Sequence, residues 1–170
     1  MSHALLIHVT GLLALALNVV ALACTCERAL RVRSGIAGMA WALNNFLIGA
    51  NVAAALSVVS AGRTATSAVT LGARRSRAIG FALFAALTLA VGALTWAGWA
   101  SLLMVAASLL STYAVFHLTG RSLRWVMLAV SALWMFNAVS VGSWEQIAAN
   151  AISAAASLYG ACRVTRPIGG

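Results

Sequence analysis

Apolar residues run along this chain in seven long blocks, at residues 5–24, 36–48, 50–71, 78–96, 102–118, 125–141 and 144–162, separated by short polar or basic stretches. Blocks of this length predict α-helices. A helix satisfies its own backbone N–H and C=O groups inside lipid, and about 20 residues rising 1.5 Å each cross roughly 30 Å of hydrocarbon. The second block is short, but extended back to Arg33 it reaches 16 residues, close to the lower limit of about 17 for a crossing. The expected class is an all-α integral membrane protein with seven transmembrane helices.

A second pattern lies over the first. Trp41 returns as Trp134, Asn44 as Asn137 and Gly49 as Gly142, and the pair Arg28 and Arg31 returns as Arg121 and Arg124, all at one offset. Polar positions follow the same shift, with Ser57 matching Asn150, Ser60 matching Ser153 and Thr64 matching Ser157. In a chain dominated by Ala, Leu and Val, agreement among Trp, Asn, Gly and Arg at one offset marks an internal repeat. Each copy holds three spans, and three crossings end on the side opposite to their start. The fourth span, with Thr88 and Thr95 as its only hydroxyls and no charge, restores the starting side and suits a lipid-facing connector. The expectation is therefore two parallel three-helix repeats, residues 1–77 and 98–170, joined by a linker helix at 78–97 and related by an axis along the membrane normal.

Composition agrees with the pattern. The chain is 63% hydrophobic and 8% charged, with a mean hydropathy of +0.99, too little charge to cover a soluble protein of this size. A net charge of +9 would suggest nucleic acid in a soluble chain, but here placement decides otherwise. Every basic residue is an arginine, and all fall after spans one, five and seven or late in and after span three. The positive-inside rule makes that side cytoplasmic, with the amino terminus outside and the carboxyl terminus inside. Met1 to Ala4 offers no basic region of a signal peptide, so the first block reads as a retained span.

The residues Arg31, Trp41, Leu43-Asn44-Asn45-Phe46, Gly49, Arg63, Leu123-Arg124-Trp125, Ala132-Leu133-Trp134, Asn137 and Gly142-Ser143 resemble the YgjV-type bacterial inner membrane proteins. The 3+1+3 arrangement is similar to the wider SWEET, SemiSWEET and PnuC group of small-solute transporters. That resemblance implies the bacterial inner (cytoplasmic) membrane, and a central site between two three-helix bundles that rock about it. SWEET-type repeats carry a proline hinge in the first helix of each triple. The only proline here is Pro167, in the tail, so Gly11, Gly35, Gly38 and Gly92 are the candidate soft points.

Candidate chemistry follows from helical spacing. Trp41 has Asn44 three residues on and Asn45 four residues on, sharing its face, and Trp134 with Asn137 repeats the geometry. Opposed across a pseudo-twofold axis, such pairs form an aromatic platform with amide donors and acceptors for a small polar solute; the alternative is that they join helices. Ser57, Ser60, Thr64 and Ser67 form a hydroxyl stripe that could line a pore or allow close packing, with Asn150, Ser153 and Ser157 as its counterpart. Arg63 lies deep in its span at the edge of that stripe, placed either to snorkel or to act as an interior cation that attracts an anionic group or gates the pathway. Ala156 stands at its repeat position.

Glu27 and Glu145 are the only carboxylates. Glu27 can pair with Arg31, and Ser143-Trp144-Glu145-Gln146 has the form of a capping box at the start of span seven. The two acids fall on opposite sides of the membrane, so no two-carboxylate mechanism is available and no carboxylate relays protons at mid-membrane. His8 packs or faces water. Cys24, Cys26, Cys162 and His117 share the cytoplasmic level, but C-x-C alone is a weak zinc signal and these thiols read as packing groups. The expectation is a carrier, uniporting or weakly coupled, with no enzyme activity, cofactor or metal. The rival reading is an accessory or structural subunit of a larger membrane complex. Expected partners are the lipid bilayer, the solute and possible further subunits, including a second copy, but no nucleic acid.

Overall fold

The computed structural model describes residues 3–22, 27–70, 73–118 and 120–163. They form seven α-helices: α1 (His3–Leu22), α2 (Glu27–Ile48), α3 (Asn51–Thr70), α4 (Arg74–Leu94), α5 (Trp99–His117), α6 (Gly120–Ser140) and α7 (Trp144–Arg163). Each apolar block thus corresponds to one helix. Five helices, α1, α3, α4, α5 and α6, are long and apolar enough to cross a membrane.

The other two are long enough, at 22 and 20 residues, but more polar. α2 begins with Glu27, Arg28, Arg31 and Arg33 and carries Asn44 and Asn45, while α7 carries Glu145, Gln146 and Asn150. Asn44, Asn45, Glu145 and Gln146 are all buried. Their polarity therefore faces the inside of the bundle, which a composition count cannot register. The arginines expected in connections also belong to helices, with Arg74, Arg75 and Arg77 opening α4 and Arg121 and Arg124 opening α6. Positive charge opposes the dipole of a first turn, and lipid phosphates at the membrane surface offset that conflict. At the opposite end Trp96, Trp99 and Trp144 are exposed, as in an interfacial aromatic belt.

The helices close into a ring. α1 packs on α2, α2 on α3, α3 on α5, α5 on α6, α6 on α7 and α7 back on α1, with α4 outside against α3 and α5. Glycine sets the turns at two matching places. Gly49 has φ +85° and Gly142 φ +68°, the left-handed conformation that ends a helix most cheaply at glycine. Around Gly49 the bonds are Gly49 N–H to Phe46 O at 3.0 Å and Ala50 N–H to Asn45 O at 2.9 Å. Around Gly142 they are Gly142 N–H to Val139 O at 3.1 Å and Ser143 N–H to Ala138 O at 3.0 Å. Both are Schellman motifs.

α4 is a connector with one docked face. Gly80, Phe84, Thr88 and Gly92 recur every four residues and are buried, whereas Ile79, Leu83, Leu87 and Leu94 are exposed. Thr88 donates to Phe84 O at 2.8 Å and lies 3.4 Å from Ser108 Oγ of α5, so it does not face lipid. The Phe84 and Phe116 rings stack with centroids 6.2 Å apart, joined by Val59 of α3. Two of the candidate soft points, Gly38 and Gly92, lie at close helix contacts. A Cβ at Gly38 would lie 3.1 Å from Ala61 Cβ, and one at Gly92 only 2.4 Å from Val105 Cγ2. Such small residues let membrane helices approach closely.

Candidate solute cavity

A cavity of about 160 Å³ lies inside the ring. Trp41 of α2 and Trp134 of α6 both line it, as do Asn45 of α2, Ser57 and Ser60 of α3, and Asn150 of α7. Asn18, Gly38, Gln146, Ala149 and Ser153 complete the wall. Two indoles, several amides and hydroxyls therefore converge from five helices. The volume is comparable to that of engineered cavities of about 150 Å³ that admit a benzene-sized molecule.

Of the two expected Trp/Asn pairs the structure brings both indoles to the cavity but neither Asn44 nor Asn137. Asn45, not Asn44, shares the cavity with Trp41. At 100° per residue a side chain four positions on lies about 40° from the first, whereas one three positions on lies about 60° away on the other side. Asn44 points into the joint between α1, α2 and α7, where it is wholly buried. It donates to Ile7 O at 2.8 Å and Thr10 Oγ1 at 3.1 Å, and accepts from Gln146 Nε2 at 3.3 Å. Asn137 does not line the cavity either, and its buried Nδ2 has no partner among the described residues. Its repeat counterparts to Ile7 and Thr10 are Ala100 and Leu103, so the hydroxyl that serves Asn44 is missing.

Gln146, near the start of α7, also lines the cavity. Its Nε2 also donates to Asn45 Oδ1 at 2.9 Å, and Asn45 Nδ2 donates to Ser57 Oγ at 3.4 Å. The backbone N–H of Gln146 bonds to Ser143 Oγ at 3.4 Å, so half of the expected capping box forms. Its other half is diverted, because the Gln146 side chain reaches across to α2. Glu145 is buried beside this bridge, with His8 Nδ1 2.7 Å from its Oε1 and Ser143 Oγ donating to its Oε2 at 3.2 Å.

The model of a bacterial inner membrane protein family, Imp-YgjV, matches residues 5–167. The chain belongs to this family. It is therefore a bacterial inner membrane protein, in keeping with its five long apolar helices. No curated protein and no solved structure matches the chain.

Arg63 lies just behind the cavity wall. It is 3% exposed, so it does not snorkel. Nη1 donates to Ser108 O and Thr112 Oγ1 of α5, both at 2.9 Å, and Nη2 donates to Ser60 Oγ at 2.6 Å. Arg31 reaches both α3 and α5, its Nη1 donating to Ser67 Oγ at 2.9 Å and Val115 O at 3.4 Å. Of the hydroxyl stripe, Ser57 and Ser60 face the cavity, whereas Thr64 bonds back to Ser60 O at 2.8 Å and Ser67 to Thr64 O at 2.7 Å. Asn150 keeps a cavity position while Nδ2 bonds Gln146 O at 2.9 Å.

Sequence reasoning missed Gln146 as a bridge and the His8–Glu145 pair. The available signal was their common level, since His8 is near the start of α1 and Glu145 and Gln146 open α7. His117 packs against Phe81 and Tyr113, with ring centroids 4.8 and 5.2 Å away. Cys24, Cys26 and the Glu27 side chain lie outside the described residues, as does Pro167.

Proposed function

We propose that this protein is a SWEET-like carrier, uniporting or weakly coupled, that moves a small polar solute through the ring cavity. The observation that carries the reading is the cavity itself, with indoles from α2 and α6 and amides from α2 and α7 around one space. Aromatic faces cover the apolar side of a solute and amides recognise its polar groups, the usual composition of a small-molecule site. A helix-packing role alone leaves such a space without a purpose, because close packing is what stabilises helices in lipid. The accessory-subunit reading has no comparable observation behind it.

Two further features support the repeat organisation, with residues 1–77 and 98–170 as three-helix units and 78–97 as the linker. The ring order α1, α2, α3, α5, α6, α7 maps onto itself when each helix is exchanged for its repeat counterpart, and α4 stands outside. The same cap also ends α2 and α6. All seven helices cross the membrane in this reading, α2 and α7 with their polar side chains inward. The arginine-rich end is cytoplasmic by the positive-inside rule, and no enzymatic step, cofactor or metal is needed.

Counterflow in proteoliposomes tests the function. Purified protein should accelerate exchange of at least one labelled solute from a panel of small polar compounds, and Asn45→Ala with Asn150→Ala should abolish the gain. If no solute exchanges faster than in empty liposomes and a cysteine at Ser57 stays unreachable from both sides, the carrier reading fails and the subunit reading replaces it. Orientation is tested separately. Ala97→Cys should react with an impermeant thiol reagent outside intact cells and Ser76→Cys should not, on a background lacking Cys24, Cys26 and Cys162.

A further inference from the structure

From Arg63 and its place behind Ser60, we infer that the solute of this cavity is a small organic monoanion, a short carboxylate. The inference rests on the carrier reading and names its substrate class. Arg63 is thirteenth of the 20 residues of α3, so about 10 Å of helix separates it from the arginine-rich end. Among the described residues its guanidinium bonds only to neutral oxygens, those of Ser108, Thr112 and Ser60, and Nε is buried without a partner. Glu145, the one carboxylate among the described side chains, contacts His8 in another seam, between α1 and α7. A full positive charge is therefore held inside the bundle by dipoles alone, a costly arrangement unless something compensates it.

The cavity supplies the place for compensation. Ser60 lines it and accepts the Arg63 Nη2 hydrogen bond at 2.6 Å. With that lone pair engaged, Ser60 keeps its own O–H proton to give, and the guanidinium polarises it toward an acceptor in the cavity. The side chains that line the cavity are themselves neutral. Across one hydroxyl and in a medium of low dielectric, the Arg63 charge dominates the local field. A single positive charge matches a single negative one, and about 160 Å³ fits a solute of roughly six non-hydrogen atoms.

Ser57→Cys in protein lacking Cys24, Cys26 and Cys162 provides a reporter inside the cavity. Its reaction rates with the anionic 2-sulfonatoethyl and the cationic 2-trimethylammonioethyl methanethiosulfonates are each normalised to the rate with free 2-mercaptoethanol. The anionic reagent should be favoured by at least about tenfold. Arg63→Gln should bring the ratio close to one, and Arg63→Lys should preserve it. L-Lactate should slow labelling, whereas propane-1,2-diol, with the same carbon skeleton and no carboxylate, should not. A ratio of one or below with Arg63 present overturns the inference, whether or not the Gln variant folds. A ratio unchanged by Arg63→Gln overturns it too, as does equal protection by the two solutes or none by lactate. If neither reagent reaches Ser57→Cys from either side, the carrier reading falls as well; if both react equally, only the anion assignment is lost.

Discussion

Asn44 and Asn45 are adjacent, chemically identical and both buried, yet they should respond differently to truncation. Asn44→Ala removes two donated hydrogen bonds and one accepted bond. None of its partners is orphaned, since Thr10 Oγ1 still bonds Leu6 O at 2.9 Å and Gln146 Nε2 still bonds Asn45 Oδ1 at 2.9 Å. The loss is therefore the bonds themselves, each near 0.6 kcal/mol between membrane helices, or about 2 kcal/mol together. For a chain of this size that corresponds to roughly 4–8 °C in melting temperature. Asn45→Ala breaks one strong contact, to Gln146, and a long one to Ser57 at 3.4 Å, costing about 1 kcal/mol of stability. Because Asn45 faces the cavity, it should also weaken binding of the transported solute by about five- to thirtyfold, the worth of one or two hydrogen bonds in a desolvated site. Thermal melting in detergent and solute affinity, measured on both variants, give a crossed pattern. If Asn44→Ala melts like the parent, or if it harms affinity as much as Asn45→Ala does, the division between scaffold and site is wrong.

The other expectations concern the seams and the connector. His8→Ala should leave the buried Glu145 carboxylate with Ser143 alone and cost about 2 kcal/mol, tempered by the partial exposure of His8; adding Glu145→Gln should recover most of it in a double-mutant cycle of melting temperatures, and a purely additive loss refutes the pairing. Gly92→Ala should overpack α4 on Val105 and cost about 1–3 kcal/mol, whereas Gly62→Ala, whose Cβ would lie 3.4 Å from Phe84 Cε1, should cost under about 1 kcal/mol; equal melting temperatures would contradict the docked face of α4. A disulfide between Asn18→Cys and Ser153→Cys, across a present contact of 3.2 Å, should arrest counterflow and release it on reduction. Undiminished exchange in the oxidised protein would show that α1 and α7 need not part.

What the sequence disclosed, and what it withheld, follows one physical line. Positions constrained by backbone geometry were legible, as with Gly49 and Gly142, whose repetition reflects the same left-handed cap at the ends of α2 and α6. So were Trp41 and Trp134, because large aromatics at one repeat offset have few equivalent places to go. Which of two neighbouring amides entered the cavity was not legible from spacing alone, since three and four residues along a helix both share a face with the first. Seven spans are expected and five helices are apolar enough to cross; α2 and α7 fall outside that number because their buried polar side chains are averaged with the outward ones. The His8–Glu145 pair and the reach of Gln146 to α2 depend on which helices adjoin after the ring has closed, and no local pattern contains that information.

Repetition also makes the departures from it informative. In the proposed repeat organisation the ring has two seams between triplets, α3 against α5 and α7 against α1, and perfect copies would bond both in the same way. Here Arg63 corresponds to Ala156 and Thr112 to Val19, while Glu145 corresponds to Val52 and His8 to Ser101. The first seam is thereby tied through the interior by Arg63 and Arg31, and α4 straps it from outside through the stacked Phe84 and Phe116 rings and the Thr88–Ser108 contact. Among the described residues no helix straps the second seam, which is held by His8–Glu145 toward one end and Asn18–Ser153 deeper in. Parting α3 from α5 would leave a buried guanidinium without its acceptors, whereas parting α1 from α7 would expose groups that water can satisfy, His8 already being half exposed. If the two triplets rock, the cheaper motion therefore pivots on the arginine seam and opens between α1 and α7. With no proline kink in either triplet, rigid halves turning on one fixed seam are also the motion that asks least of the helices themselves.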